Sequence, residues 1–115
     1  MKKKKDDSPA VSPLSEAFDL AAVLAYQDDA VVSRTLTDKP VGTITVFAFD
    51  QGQGMSEHAT PYDAFVQILE GAMTITIDGQ DQQVGKGQAL IMPADHPHAL
   101  SAVEKTKMLL VMIRT

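Results

Sequence analysis

The chain has no cysteine and no tryptophan, and only two tyrosines and four phenylalanines among 115 residues. Without cysteine there is no disulfide framework, no thiolate nucleophile and no cysteine-ligated zinc or iron–sulfur centre. So few aromatic rings leave no platform for stacking sugars. Positive charge is also short. The net charge is −5, whereas a nucleic-acid partner calls for a basic face that displaces counterions from phosphates. Four of the ten basic residues are spent in the run Lys2-Lys3-Lys4-Lys5, with Asp6 and Asp7 directly after it. Long apolar runs are missing too. The nearest candidate for the apolar core of a leader, Leu20 to Tyr26, is short, alanine-rich and flanked by Asp19 and Asp28-Asp29. No stretch approaches the roughly 20 residues that span a bilayer. These absences point to a soluble cytoplasmic protein with neither a nucleic-acid nor a membrane partner.

What is present suffices for one domain. An apolar fraction of 44% over 115 residues supports a single core without cross-links. Residues 1–13 read as a disordered tail, in which Pro9 and Pro13 discourage regular structure. In the lead-in, residues 14–30, Phe18, Ala21, Ala22 and Ala25 recur at helical spacing with Ser15 as a candidate N-cap. That spacing predicts a short helix from Glu16 to Tyr26 lying against a sheet.

From Val31 the hydrophobic period changes to two, and residues 31–115 read as a barrel. The β-branched run Val31 to Leu36 ends at Asp38-Lys39-Pro40. Thr43 to Phe49 sets Ile44, Val46 and Ala48 on one face against Thr43, Thr45, Phe47 and Phe49 on the other, and the loop from Asp50 to Gly54 breaks it. Further strands follow at Ala64–Leu69, Met73–Ile77, Gln80–Val84, Gln88–Met92, His98–Ala102 and Thr106–Arg114. Asp78-Gly79 is a two-residue hairpin signal between two of them. Eight or nine short strands with no helix between them mean an all-β sandwich or closed antiparallel barrel.

The chain's three histidines all lie near turn–strand junctions: His58 ahead of Ala64, and His96 and His98 on either side of Pro97. Neutral imidazole is a common ligand for zinc, iron, nickel and copper. His58 and His98 are forty positions apart, so they meet only if the barrel closes. Other features carry less chemistry. Met55, Met73, Met92, Met108 and Met112 at strand spacing read as core fillers rather than a soft-metal box. Gly52-Gln53-Gly54 precedes a strand and so lacks the helix of a phosphate cradle. No serine has a nucleophile-elbow context.

Gly52 through His58 and Thr60 to Gly71 resembles the first motif of the cupins, in which His-x-His is followed by a glutamate and then a glycine. Gly87 through Pro93, His96, Pro97 and His98 resembles the second, with its glycine, proline and histidine. The likeness runs from about Val31 to Ile113 and is to small single-domain cupins of the RmlC-like, cupin 2 type. It implies an all-β, jelly-roll antiparallel barrel and a homodimer. His58 matches the first histidine of motif one and His98 the histidine of motif two. Thr60 stands at the second histidine position, Ala64 at the glutamate position and Asp95 at the glycine of motif two. If Ala64 points into the barrel, alternation sends Val66 and Ile68 inward and Phe65 and Gln67 outward, with Asp63 away unless a bulge resets the parity.

Two functional readings follow. In the first, the barrel is a binding module that takes a small polar or anionic molecule near His58, Thr60, His96 and His98. In the second, the resemblance implies a divalent transition metal (zinc, iron, nickel, copper or manganese) on His58 and His98, serving an oxygenase, isomerase or lyase. A metal-free pocket built on the same histidines is the equal alternative.

Overall fold

The computed structural model describes residues 13–114; the tail read over residues 1–13 falls almost wholly outside them. The described residues form nine strands: β1 (Val31–Lys39), β2 (Gly42–Phe49), β3 (Gly54–His58), β4 (Asp63–Glu70), β5 (Ala72–Ile77), β6 (Gln80–Gly85), β7 (Ala89–Met92), β8 (His98–Ala102) and β9 (Thr106–Ile113). They form two antiparallel sheets, one in the order β1-β2-β9-β4-β7 and one in the order β3-β8-β5-β6. The architecture is the jelly-roll barrel that the resemblance implies, and it falls within the sandwich or closed barrel that the turn-punctuated pattern predicts. No helix among the described residues is long and apolar enough to cross a membrane.

Alternation places the core. Along β4, Ala64, Val66 and Ile68 are buried while Phe65 stays partly exposed, which is the predicted parity. The inner faces of both sheets supply Phe49, Met73, Ile75, Val84, Met92, Leu100, Ala102 and Met108 to one cluster. The outer face of the larger sheet is apolar as well. Ile91, Phe65, Val111 and Ile44 stand in register across β7, β4, β9 and β2, with Ile91 59% exposed. The hairpin at Asp78-Gly79 has positive φ at both central residues, 52° and 79°. That is the mirror-image turn whose twist suits flanking strands, and both residue types tolerate it.

Two expectations need correction. The helix from Glu16 to Tyr26 does not form; the lead-in holds only single 3-10 turns at Pro13–Ser15 and Leu20–Ala22. Two of its backbone carbonyls are claimed by the sheet instead of by the next turn of a helix. Lys107 donates from Nζ to the Ala21 carbonyl, and Arg34 donates from Nη1 to the Val23 carbonyl at 3.1 Å. The Tyr26 hydroxyl donates to Glu70 at 2.6 Å, and the Lys105 and Lys107 ammonium groups lie 5.5 and 5.0 Å from its ring centre. Burial, then that carboxylate, push the Tyr26 phenol well up. The covering role itself holds, since Leu14, Phe18 and Leu20 line a groove with Leu36, Ile44, Leu109 and Val111 of the outer face. The second correction is at residue 54: the loop after β2 ends there, because Gly54 already begins β3.

Candidate functional site

His98 opens β8, and three backbone contacts fix its corner. The Asp78 N–H donates to the Pro97 carbonyl at 2.9 Å, the His96 N–H to the Pro93 carbonyl at 3.4 Å, and the Asp95 N–H to the Thr60 carbonyl at 2.7 Å. Asp95 stands where the motif has glycine and adopts φ 67°, a left-handed backbone that aspartate tolerates better than most side chains. The turn geometry of the motif thus survives the substitution, and its amide ties the second motif to the first.

His58 reaches the same place through a bulge. On β3, Gly54 opposes Ser101 and Met55 opposes Leu100, yet His58 opposes His98. Three steps along β3 therefore match two along β8, so the strand carries one extra residue. Strict alternation from the inward Met55 would turn His58 outward; the extra residue restores it to the inner face. The two imidazoles become a directly opposed cross-strand pair, with ring centres 4.4 Å apart at 72°.

The protonation of the pair can be read from its partners. His58 Nδ1 lies 2.8 Å from the Ser56 carbonyl oxygen, and His98 Nδ1 lies 3.1 Å from that of His96. A carbonyl oxygen only accepts, so each Nδ1 carries its proton and donates it. In the neutral rings both Nε2 atoms are then bare lone pairs, and they face each other at 3.2 Å. Two lone pairs at that distance repel unless a cation, either a proton or a metal ion, lies between them. Two imidazoles sharing one tetrahedral ion at ordinary bond lengths would hold their nitrogens roughly 3.3 Å apart. The backbone contacts at Nδ1 are also the kind that orient metal-bound histidines. His98 is 3% exposed, and burial, then the neighbouring His58, hold its imidazole below the usual range against the pull of the His96 carbonyl.

The pair opens on a cavity of about 40 Å³ lined by Met55, His58, Thr60, Ala64, Met92, His98, Leu100, Met108, Leu110 and Met112. That is room for an ion or a water molecule, whose share of liquid volume is about 30 Å³, and well short of the roughly 300 Å³ at which metabolite pockets begin. Of the four residues singled out in the sequence, His58, Thr60 and His98 line this cavity. The Thr60 hydroxyl is engaged with the Tyr62 backbone, 3.2 Å from its carbonyl oxygen. His96 does not line the cavity. Its Nδ1 lies 2.7 Å from Asp78 Oδ2, both side chains are 51% exposed, and the contact braces the hairpin against the Pro97 corner.

The four-ligand set of three histidines and a glutamate does not fit this site. Thr60 and Ala64 replace two members. Asp63 points away, its carboxylate accepting the Ala94 N–H at 2.9 Å, and Glu57 is exposed. Among the described residues no group of three or more histidine, aspartate or glutamate side chains could hold an ion. The methionines read as core fillers do pack in the core: Met73, Met92 and Met108 belong to its buried cluster and Met55 and Met112 lie against it, while all but Met73 also line this cavity.

Comparison with known proteins agrees with the geometry. A family model described as "Cupin domain" matches residues 45–114. A conserved protein of unknown function from Streptococcus pyogenes is 42% identical over 88% of this chain and 89% of its own, with a TM-score of 0.84. A cupin superfamily protein from Desulfitobacterium hafniense is 27% identical over 90% of this chain and 94% of its own, with a TM-score of 0.85. A cupin 2 conserved barrel domain protein from Leptotrichia buccalis is 37% identical over 84% of this chain and 47% of its own, with a TM-score of 0.82. No curated protein matches the chain significantly. The barrel, the two motifs in order and a family match over more than half the sequence lead to one statement: this chain belongs to the cupin domain family.

Proposed function

We propose that this cupin is a binding module whose ligand is an electron-pair acceptor of one or a few atoms, held between His58 and His98. The observation that carries the reading is the pair of Nε2 atoms 3.2 Å apart, with each Nδ1 within 3.1 Å of a backbone carbonyl oxygen. A small anion is disfavoured by the same lone pairs, and a larger metabolite by a cavity of about 40 Å³. The divalent-metal enzyme has less support, since Thr60 and Ala64 remove the charged and imidazole ligands that would complete its site.

The test is NMR of nitrogen-15 labelled imidazoles in tag-free protein, with a panel of small cations and small protic molecules. Two-bond correlations are expected to show Nδ1–H rings at His58 and His98. A fitting ligand should then move both Nε2 resonances together, and the His58→Ala, His98→Ala double variant should abolish its binding. An Nε2–H proton on either neutral ring would overturn the reading, as would silence of both rings across the whole panel.

A further inference from the structure

The geometry points to a soft monovalent cation, Cu(I), as the ion this site takes, bound by His58 and His98 together with the thioethers of Met92 and Met112. The inference rests on the binding reading above and adds the identity of the ligand and two further ligating residues.

The place of the missing carboxylate carries it. Ala64 on β4 lies directly between Met92 on β7 and Met112 on β9, its partners in register on either side. Side chains directly opposite one another in antiparallel strands share a face, and all three residues line the cavity that holds the histidine pair. A glutamate at position 64 would fill the space between those two methionines and present a hard, charged oxygen. Alanine leaves that space to two flexible thioether arms. Met55 and Met108 line the same cavity, so four of the chain's six methionines surround two bare imidazole nitrogens, and the lining contains no carboxylate.

Donor chemistry then selects the metal. Hard divalent ions favour oxygen ligands, and zinc or iron sites of this kind favour imidazole with carboxylate; thioether sulfur together with imidazole suits Cu(I). A monovalent ion also needs less compensating charge, which matters in a cavity whose lining carries none when both rings are neutral. The apolar remainder, Leu100 and Leu110, adds no oxygen ligand to the lining. Core filling alone would explain methionines anywhere in the barrel. It does not explain why four of them gather around the histidine pair, with two flanking the position that lost its carboxylate.

The experiment is anaerobic titration of the tag-free full chain with Cu(I) in competition with a chromophoric Cu(I) chelator. Zn(II) is titrated in parallel against a zinc indicator, and X-ray absorption is recorded on the Cu(I)-loaded protein. One Cu(I) per chain is expected, with a sulfur shell beside the nitrogen shell. The Met92→Leu, Met112→Leu double variant should lose the sulfur shell and weaken Cu(I) by about tenfold or more while leaving Zn(II) unchanged. Leucine keeps the apolar volume, and a native circular dichroism melt confirms that the variant folds. Cu(I) bound without sulfur, or Zn(II) held more tightly than Cu(I), would overturn the inference and leave the histidine-pair reading standing. Failure of every cation to bind, together with silent imidazoles in the NMR panel, would remove both.

Discussion

At one end of the barrel Phe49, Ile68 and Met73 are wholly buried, and the hydroxyl of Thr106 is saturated with backbone partners. At the other end two imidazoles turn their bare nitrogens toward each other over a cavity ringed by methionine. The same strands build both ends. β9 contributes Thr106 to the first and Met112 to the second, and β8 contributes Ala102 to the first and His98 to the second. The difference lies in how completely each end is satisfied. Close packing and full hydrogen bonding at the Phe49 end supply stability. The His98 end sets two Nε2 atoms against each other at 3.2 Å beside an unfilled cavity, the arrangement on which the proposed ligand rests.

Emptying the closed end tests this contrast most severely. Phe49→Ala removes a ring that is 0% exposed and should cost about 3–5 kcal/mol, as in other buried aromatic truncations. For a domain near this size each kcal/mol lowers Tm by roughly 4–8 °C, so urea and thermal unfolding will both register it. Gly71→Ala comes next. Gly71 has φ 90°, and an added Cβ would lie 2.8 Å from Thr106 Cα and closer still to the Lys105 carbonyl oxygen. Strained backbone and a clash with main chain should together cost about 2–3 kcal/mol. A variant as stable as the wild type would mean that the turn between β4 and β5 relaxes freely, and the closed end would not be the rigid one.

Thr106→Val is a finer probe. The hydroxyl oxygen lies 2.9 Å from the Ala72 carbonyl oxygen and 2.8 Å from that of Glu104, and it accepts the Ala72 N–H at 3.2 Å. Valine keeps the shape but takes this partner from the Glu104 carbonyl and the Ala72 N–H, and leaves the Ala72 carbonyl with the Val103 N–H, for an expected loss of about 1–3 kcal/mol. His58→Ala, at the open end and exposed, should change the stability of metal-free protein by less than about 0.5 kcal/mol while abolishing cation binding. Equal losses from the two substitutions would erase the distinction between the ends.

The closed end was legible in the sequence and the open end only half so. Alternation along β4 and β9 and the Asp78-Gly79 turn mark the strands, because burial of one face imposes a period of two whatever the ligand. The resemblance brought His58 and His98 forward, but the bulge between Met55 and His58 leaves no mark in residue type, and it decides which way His58 points. The lead-in misled for a related reason. Helical spacing over Phe18 to Ala25 describes an apolar stripe, yet the sheet's Arg34 and Lys107 compete for the carbonyls that a helix would need. His96 looked like a partner of His98 from sequence distance alone; on an extended strand end with Pro97 between them, it turns to Asp78 instead.

The smallest effect expected is one of pH, and it is confined to the open end. The His98 imidazole is held below its ordinary value of 6.5, chiefly by burial and then by His58. The unfolded chain therefore takes up a proton at a higher pH than the native chain does. Stability rises with pH wherever the unfolded state binds more protons, so His98 contributes in full above its unfolded value. That contribution is lost progressively as pH falls below 6.5 and through the depressed native value. The only other titratable group in the cavity lining is His58, which opposes a second charge there. Urea unfolding of metal-free protein between pH 8 and pH 5 should show this loss in the wild type and a flatter profile in His98→Asn, which has no proton to gain. Cu(I) should steepen the wild-type profile, since protons compete with the metal for the same Nε2 lone pairs. Parallel profiles for wild type and variant would mean that protonation elsewhere governs the response and that the two ends do not differ in this respect.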